Sequence, residues 1–352
     1  MQIRNLLSFQ RPFKSPQQKV AVLMMPSIVA ALVIVNVTRL FLPSEKDSEW
    51  DVGTTQSKEL SRLPSVGGFF DCDRDSMKPS PSDPDDVNKV RPADIKSIGA
   101  LGDSITAGYK SKNFDYEPDG TYMGNSFITG ADEPLEQHAT IANILRKFNP
   151  NLEGLSYSIP AERAGFNVAF PGANSSQLPT QAETLVELFR KEEPNLSKSW
   201  KLIFIFIGTN DAGSLRCHYK ADYVAYEIQN ERNFDSSDFT VVAQGFMDEL
   251  SEPVKDANGA YNKKFYASDL FHLSKYGNAV LALHLWNCLL EPAGKKNQKA
   301  DLSNDGLAVQ CPKQSLNDWT SLLDDGNDVD VIYFGFAKAF GRVPHSKLLQ
   351  IL

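Results

Sequence analysis

The 352-residue chain has few cysteines and histidines and no concentration of basic charge. Its four cysteines form no Cys-x-x-Cys pair, which argues against a zinc site. The net charge is −8 and no basic stripe is present, which argues against a protein that binds nucleic acid. The sequence therefore predicts no zinc site and no nucleic-acid partner.

Long apolar runs are also scarce, and one of them lies near the N-terminus. Val20–Val37 carries no charged residue, and four basic residues precede it: Arg4, Arg11, Lys14 and Lys19. About 20 apolar residues span a bilayer core, so this run is just long enough to cross it. The preceding charges predict a signal-anchor with an extracytosolic main domain. A cleaved signal of a secreted protein and a buried helix are the alternatives.

Composition divides the chain into five segments. A basic segment at 1–19 precedes the apolar segment at 20–38, and a polar stalk without periodicity follows at 39–67. The main domain spans 68–312, and a tail of different character spans 313–352. In an exported protein the four cysteines permit three disulfide pairings, and the sequence does not choose among them.

From Ile95 onward short apolar runs alternate with helical stretches, which predicts an α/β domain with a parallel sheet. Runs that are apolar on both faces are typical of parallel strands covered on both sides. The predicted strands are 97–101, 166–170, 202–207 and 239–243. The predicted helices are 139–148, 178–191, 219–231 and 274–290.

Polar motifs follow three of these predicted strands. Gly-Asp-Ser follows the first at 102–104, Pro-Gly-Ala-Asn-Ser-Ser the second at 171–176, and Gly-Thr-Asn-Asp the third at 208–211. In open α/β sheets, sites form beyond the carboxyl ends of the strands. We therefore expect the three motifs to converge on one edge of the sheet.

Ser104 is either a helix-capping serine or a nucleophile. A nucleophilic serine needs hydrogen-bond donors for the oxyanion that forms on its substrate. The backbone N–H of Ser104 can be one donor at a helix N-terminus, and the N–H of Gly172 can be a second. The side-chain amide of Asn210 can supply a third.

His272 is the strongest candidate for the base among the five histidines, because Asp269 lies three residues before it. On a turn, that spacing places both side chains on one side. Asp269 can then accept the Nδ1–H of His272 and leave Nε2 free to serve Ser104. The other four lack a comparable acidic neighbour: His138, His218, His284 and His345.

The order GDS, NVAFPGA, GTND and Asp-x-x-His resembles that of the GDSL, or SGNH, hydrolases. Longer stretches are similar to the phospholipase B domains of that family, above all RPADIKSIGALGDSITAG (91–108) and FYASDLFHLSKYGNAVLALHLWNCLLEP (265–292). The resemblance covers about Phe70 to Pro312. It implies a three-layer α/β/α fold and metal-free hydrolysis of acyl esters in glycerophospholipids and lysophospholipids. It also implies a role for each matching residue: Ser104 as nucleophile, His272 as base, Asp269 as its partner, and Gly172 and Asn210 as oxyanion donors.

One stretch is shorter than the family pattern. Between GTND and FDSSDFTVVAQ (234–244) the family normally has a further helix and strand, so one of each is predicted to be missing here. Loss of an inner strand leaves backbone groups unpaired or forces a new strand pairing. A catalytically dead binding protein therefore stays open as an alternative. An SGNH carboxylesterase of broader specificity is a second alternative, which concerns the substrate alone.

The tail at 313–352 resembles the first catalytic block of a non-LTR retrotransposon reverse transcriptase. Gly335 and Gly341 stand where that block usually has Asp, and glycine cannot bind the catalytic metal. So short a stretch also cannot form a polymerase core. We predict an inactive remnant, and the acidic charge of the chain argues against a retroelement protein that binds nucleic acid.

Overall fold

The structure is a computed structural model in which parts of the chain are described. These parts are the backbone of Val20–Met24 and residues 64–69, 71–111, 120–158, 163–192, 199–214, 236–248, 250, 252–292, 295–297 and 299–312. The predicted helix at 219–231 and the tail at 313–352 lie outside them. No helix within these parts is long and apolar enough to cross a membrane.

Four parallel strands form the sheet, in the order β2-β3-β1-β4. They are β1 (Val20–Met24), β2 (Ile95–Gly102), β3 (Trp200–Phe206) and β4 (Phe239–Ala243). Three of them lie where apolar runs predicted strands, and β3 is buried along its whole length, as expected of a parallel strand covered on both faces.

The predicted strand at 166–170 is wrong. A single bridge joins Asn167 of this stretch to Ala100 of β2. The side-chain amide of Asn167 donates to the Thr106 carbonyl and to Thr129 Oγ1, both at 3.0 Å. Contacts to neighbouring loops thus hold this stretch, which lies against the edge of β2 without forming a ladder.

The described residues form four α-helices: α1 (Ile141–Phe148), α2 (Leu178–Glu192), α3 (Thr209–Ser214) and α4 (Lys275–Leu289). Hydroxyl side chains cap two of them, as is common at helix N-termini. Thr140 accepts from the N–H of Asn143 at the start of α1, and Ser274 accepts from the N–H of Gly277 at the start of α4. α1, α2 and α4 match the predicted helices within about two residues at each end.

The helices cover both faces of the sheet. α1 and α4 share one apolar core with alternate residues of the strands, including Ile98 of β2 and Phe204 of β3. On the opposite face, the side chain of Leu185 of α2 lies 3.3 Å from the place where a Cβ on Gly99 of β2 would be. The predicted three-layer α/β/α fold is therefore confirmed.

Strand β1 occupies an interior position that the sequence did not predict for it. It runs parallel to β3 and to β4, with Val20 opposite Lys201 and Phe239, and Met24 opposite Ile205 and Ala243. It thus supplies a new strand pairing in the shortened part of the domain. The same residues begin the predicted membrane segment Val20–Val37, and the remainder of that segment lies outside the described residues.

A disulfide bond joins Cys72 to Cys311, 239 positions apart. This pairing links the two ends of the predicted main domain, and Gly68 also packs against Val309 near the same place. Cys288 is buried as a free thiol in α4. Cys217 lies outside the described residues.

Candidate active site

The turn that carries Ser104 follows β2 and is held from two sides. Gln181 of α2 accepts from the N–H of Gly102 at 2.8 Å and donates to its carbonyl at 2.9 Å. Thr106 Oγ1 donates to the carbonyl of Phe206, at the end of β3, at 3.1 Å. Ser104 itself is 4% exposed. These contacts hold its hydroxyl at the carboxyl end of the sheet, where the sequence predicted a site.

Ser104, His272 and Asp269 form a continuous chain of hydrogen bonds. His272 Nε2 lies 2.8 Å from Ser104 Oγ, and His272 Nδ1 lies 2.6 Å from Asp269 Oδ2. Both distances suit the tautomer in which Nδ1–H donates to the carboxylate and Nε2 accepts from the serine hydroxyl. The arrangement can deprotonate Ser104 as it attacks a carbonyl carbon.

Backbone groups orient the carboxylate of Asp269. Its Oδ1 accepts from the N–H of Phe271 at 3.1 Å and from the N–H of His272 at 3.0 Å. Burial opposes the charge of Asp269, but the hydrogen bond and charge of His272 outweigh it and hold the pKa of this carboxyl well below its usual range. Asp269 is therefore ionised throughout the neutral range and can stabilise a positive charge on His272.

The backbone between Asp269 and His272 passes through a left-handed conformation at Leu270, with φ of 57°. Such a conformation is uncommon for a non-glycine residue and often occurs at functional sites. The hydroxyl of Tyr261 donates to the carbonyl of Leu270, and the N–H of Ala267 donates to the carbonyl of His272 at 2.7 Å. These bonds hold the turn that places the acid and the histidine side by side.

Three further side chains surround the His272–Asp269 pair, and the sequence analysis did not find them. The rings of Tyr109 and Phe271 lie edge-on to the imidazole, at centroid distances of 4.9 Å and 4.8 Å. Lys110 Nζ lies 3.5 Å from Asp269 Oδ2. Tyr109 and Lys110 follow the GDS motif closely, but nothing in their local sequence indicates contact with His272 and Asp269, which lie 163 and 159 positions further along the chain.

The second and third motifs meet through direct hydrogen bonds. Asn210 Nδ2 donates to the carbonyl of Ala173 at 2.7 Å, which leaves its second hydrogen for another acceptor. Gly172 has φ of 82°, and no atom lies within 4 Å of the place where a Cβ would be. A glycine is required there because other residues rarely adopt this conformation. The two predicted donors thus belong to loops that touch each other.

Asp103, next to Ser104, is a buried acid that the sequence analysis did not single out. Burial raises the pKa of its carboxyl to about 6, although a hydrogen bond from the backbone N–H of Ile105 favours the charged form. Its Oδ1 accepts from the N–H of Ile105 at 3.0 Å. This bond holds the carboxyl of Asp103 within the GDS turn.

The surroundings of two other histidines, His138 and His284, indicate structural roles. His138 is fully buried, with Nδ1 2.5 Å from Ser65 Oγ and Nε2 3.2 Å from the carbonyl of Asn125. Burial lowers the pKa of His138 to about 3. Burial also lowers the pKa of His284. His218 and His345 lie outside the described residues.

Replacing Asp269 by asparagine is expected to lower kcat/KM for a short-chain nitrophenyl ester by about 10²–10⁴-fold, because an amide neither fixes the tautomer nor balances an imidazolium. Asp256→Asn is the matched control, since Asp256 also accepts two backbone N–H groups in a tight turn. Steady-state kinetics and circular dichroism of both variants check the result. A twofold effect or less in the folded Asp269 variant would contradict it.

The family model of the GDSL-like lipase/acylhydrolase matches residues 98–232 of this chain. That range holds all three motifs, GDS, PGANSS and GTND. Residues 98–232 of the chain are therefore similar to a GDSL-like lipase/acylhydrolase domain. The match supports the predicted GDSL-type fold and the predicted ester-hydrolysing enzyme, and Asp269 and His272 lie beyond the matched range.

Three curated relatives bear the name "Phospholipase B1, membrane-associated". The protein of Homo sapiens is 31% identical over 330 residues, and those of Rattus norvegicus and Mus musculus are each 28% identical over 327 residues. Each alignment covers 70% of this chain and 22% of the relative, so the chain spans less than a quarter of their length. Because 70% of 352 residues is fewer than 330, the human relative contains stretches that this chain lacks. No solved structure matches the chain.

Proposed function

We propose that this chain is a phospholipase B-like serine hydrolase that cleaves the acyl esters of glycerophospholipids and lysophospholipids. The observation that carries the proposal is the hydrogen-bonded series from Ser104 through His272 to Asp269, at 2.8 Å and 2.6 Å. The name of the three curated relatives supports a phospholipid as the substrate. No metal, other cofactor or nucleic-acid partner enters the proposal.

In the first half of the reaction, Ser104 Oγ bonds to the acyl carbonyl carbon while its proton passes to His272 Nε2. As the ester C–O bond breaks, the leaving glycerol oxygen takes that proton. In the second half, water attacks the acyl-enzyme and gives a proton to Nε2. His272 then returns a proton to Ser104 Oγ as the fatty acid leaves.

The negative charge on the carbonyl oxygen needs donors that are already in place before the reaction. We assign this role to the backbone N–H groups of Ser104 and Gly172 and to the side-chain amide of Asn210. The link between Asn210 and Ala173 supports the assignment because it holds the two loops together. Each such donor contributes about 3–4 kcal/mol to stabilisation of the transition state.

We also propose that the domain works outside the cytosol. The Cys72–Cys311 disulfide supports this location, since disulfides persist in oxidising compartments. The relatives' name supports a membrane as the place where substrate is met. Attachment through Val20–Val37 would require β1 to leave the sheet, so that anchor and the four-stranded sheet are alternative states of one segment.

Hydrolysis of lysophospholipid and phosphatidylcholine micelles, compared with a short-chain nitrophenyl ester, tests the substrate class. We expect fatty acid to be released from both lipids, with a kcat/KM at least about tenfold above that for the short ester. Such a ratio corresponds to about 1.4 kcal/mol of additional transition-state binding. A preference for the short ester would favour the broader carboxylesterase, and no hydrolysis by the folded protein would favour the binding protein.

A further inference from the structure

Asp211 binds Ser175 with both of its carboxylate oxygens. Oδ2 accepts from the backbone N–H of Ser175 at 2.9 Å, and Oδ1 accepts from its Oγ–H at 2.7 Å. Ser175 is 1% exposed and begins the short 3-10 turn Ser175–Gln177 before α2. A carboxylate that accepts two hydrogen bonds from one residue fixes that residue in position and orientation.

Ser175 lies three residues after the proposed oxyanion donor Gly172, and Asp211 lies one residue after Asn210. Asn210 binds the same loop through the carbonyl of Ala173 at 2.7 Å. The side of Gly172 on which a Cβ would lie is open, so packing does not hold the glycine there. Among the described residues, the bonds at Ala173 and Ser175 connect the glycine loop to the GTND turn.

We infer that Asp211 is a positioning residue for the oxyanion hole. Resting on the proposed function, this inference gives Asp211 no contact with substrate: its carboxylate holds Ser175, and through Ser175 it sets the N–H of Gly172 relative to the amide of Asn210. Misplacing preorganised donors weakens transition-state stabilisation more than substrate binding. Loss of Asp211 should therefore lower kcat and leave KM nearly unchanged.

The test compares Asp211→Ala, Asp211→Asn and the control Asp238→Ala in the full chain. Asp238 is matched because its carboxylate also accepts from a serine hydroxyl, that of Ser236 at 2.7 Å, in a loop before β4. On a short-chain nitrophenyl ester we expect Asp211→Ala to lower kcat about 10²-fold, with KM changed less than twofold. Asp211→Asn keeps one acceptor oxygen, so its kcat should lie between those of Asp211→Ala and the unaltered chain. Asp238→Ala should have the same kcat and KM as the unaltered chain.

Amide hydrogen exchange over residues 171–177 gives a second readout that does not require activity. Exchange in this segment should be faster in Asp211→Ala, while exchange in β2 and β3 and the thermal midpoint stay unchanged. An unaltered kcat, or a loss of kcat accompanied by faster exchange throughout the sheet, would overturn the inference. Absence of activity in the unaltered chain would instead refute the proposed function, and the oxyanion role of Asp211 with it, whatever the exchange shows.

Discussion

Ser104→Ala is expected to abolish labelling by a fluorophosphonate probe and to lower kcat for ester hydrolysis by about 10⁴-fold or more. The hydroxyl removed is the atom that lies 2.8 Å from His272 Nε2 and would form the bond to the acyl carbon. Because the site is a unit, the remaining histidine and acid cannot compensate for its loss. The variant should fold, since alanine fits the space that the serine leaves.

Gel fluorescence after probe labelling and fatty-acid release from lysophospholipid micelles check this result. Ser303→Ala is the control, because the exposed hydroxyl of Ser303 pairs with the nearby Asp301 far along the chain from the motifs. A Ser104→Ala protein that still takes up the probe would show that another nucleophile reacts. Unlabelled but folded unaltered protein would show that the motifs are present without the activity.

Local pattern predicted those parts of the fold that local chemistry determines. The apolar run 239–243 coincides with β4, and α4 begins directly after its cap Ser274. Asp269 and His272 are three residues apart, so one turn brings them together, and the pairing is legible in the sequence. Their approach to Ser104 was predicted from the need of a nucleophilic serine for a base and from the resemblance to the GDSL, or SGNH, hydrolases.

Features that depend on distant pairing could not be predicted in the same way. The Asp211–Ser175 contact joins residues 36 positions apart, and the Cys72–Cys311 bond joins residues 239 positions apart. Neither contact can be predicted from the local sequence, because the residues next to each partner in the chain do not indicate which distant residue it will meet. The stretch 166–170 shows the converse: its apolar pattern is that of a strand, yet only one bridge forms with β2.

Strand β1 was hard to predict for both of these reasons: its apolar pattern is ambiguous, and its partners are distant in the sequence. An uninterrupted apolar run has the same composition whether it crosses a bilayer or lies inside a sheet, so periodicity does not separate the two. The parallel pairing of Val22 with Ile203 and Val241 also leaves no trace in the local sequence, because these partners are about 180 and 220 positions away. The shortened segment after GTND was the clue, because an unfilled interior position leaves backbone groups of β3 and β4 without partners.

Val22→Pro is expected to remove the cooperative unfolding transition of the hydrolase domain and its ester hydrolysis with it. Val22 lies opposite Ile203 of β3 and Val241 of β4, so its backbone belongs to ladders on both edges. Proline lacks the N–H and is found in sheets essentially only on edge strands or at bulges. Val22→Leu keeps the N–H and the apolar side chain, and it should fold and hydrolyse esters as the unaltered chain does.

A membrane anchor at Val20–Val37 predicts the opposite pattern. Transmembrane helices tolerate proline, so Val22→Pro would leave the domain folded, whereas Val29→Asp at the centre of the run would cost about 2.5–3.5 kcal/mol of insertion. Thermal unfolding and carbonate extraction of the three variants decide between the two. With β1 in the sheet, residues 25–37 fall short of the roughly 20 that span a bilayer, so one molecule cannot satisfy both. A folded, active Val22→Pro protein would therefore contradict the place of β1 in the sheet and support the membrane anchor. Another part of the chain would then have to fill the interior of the sheet.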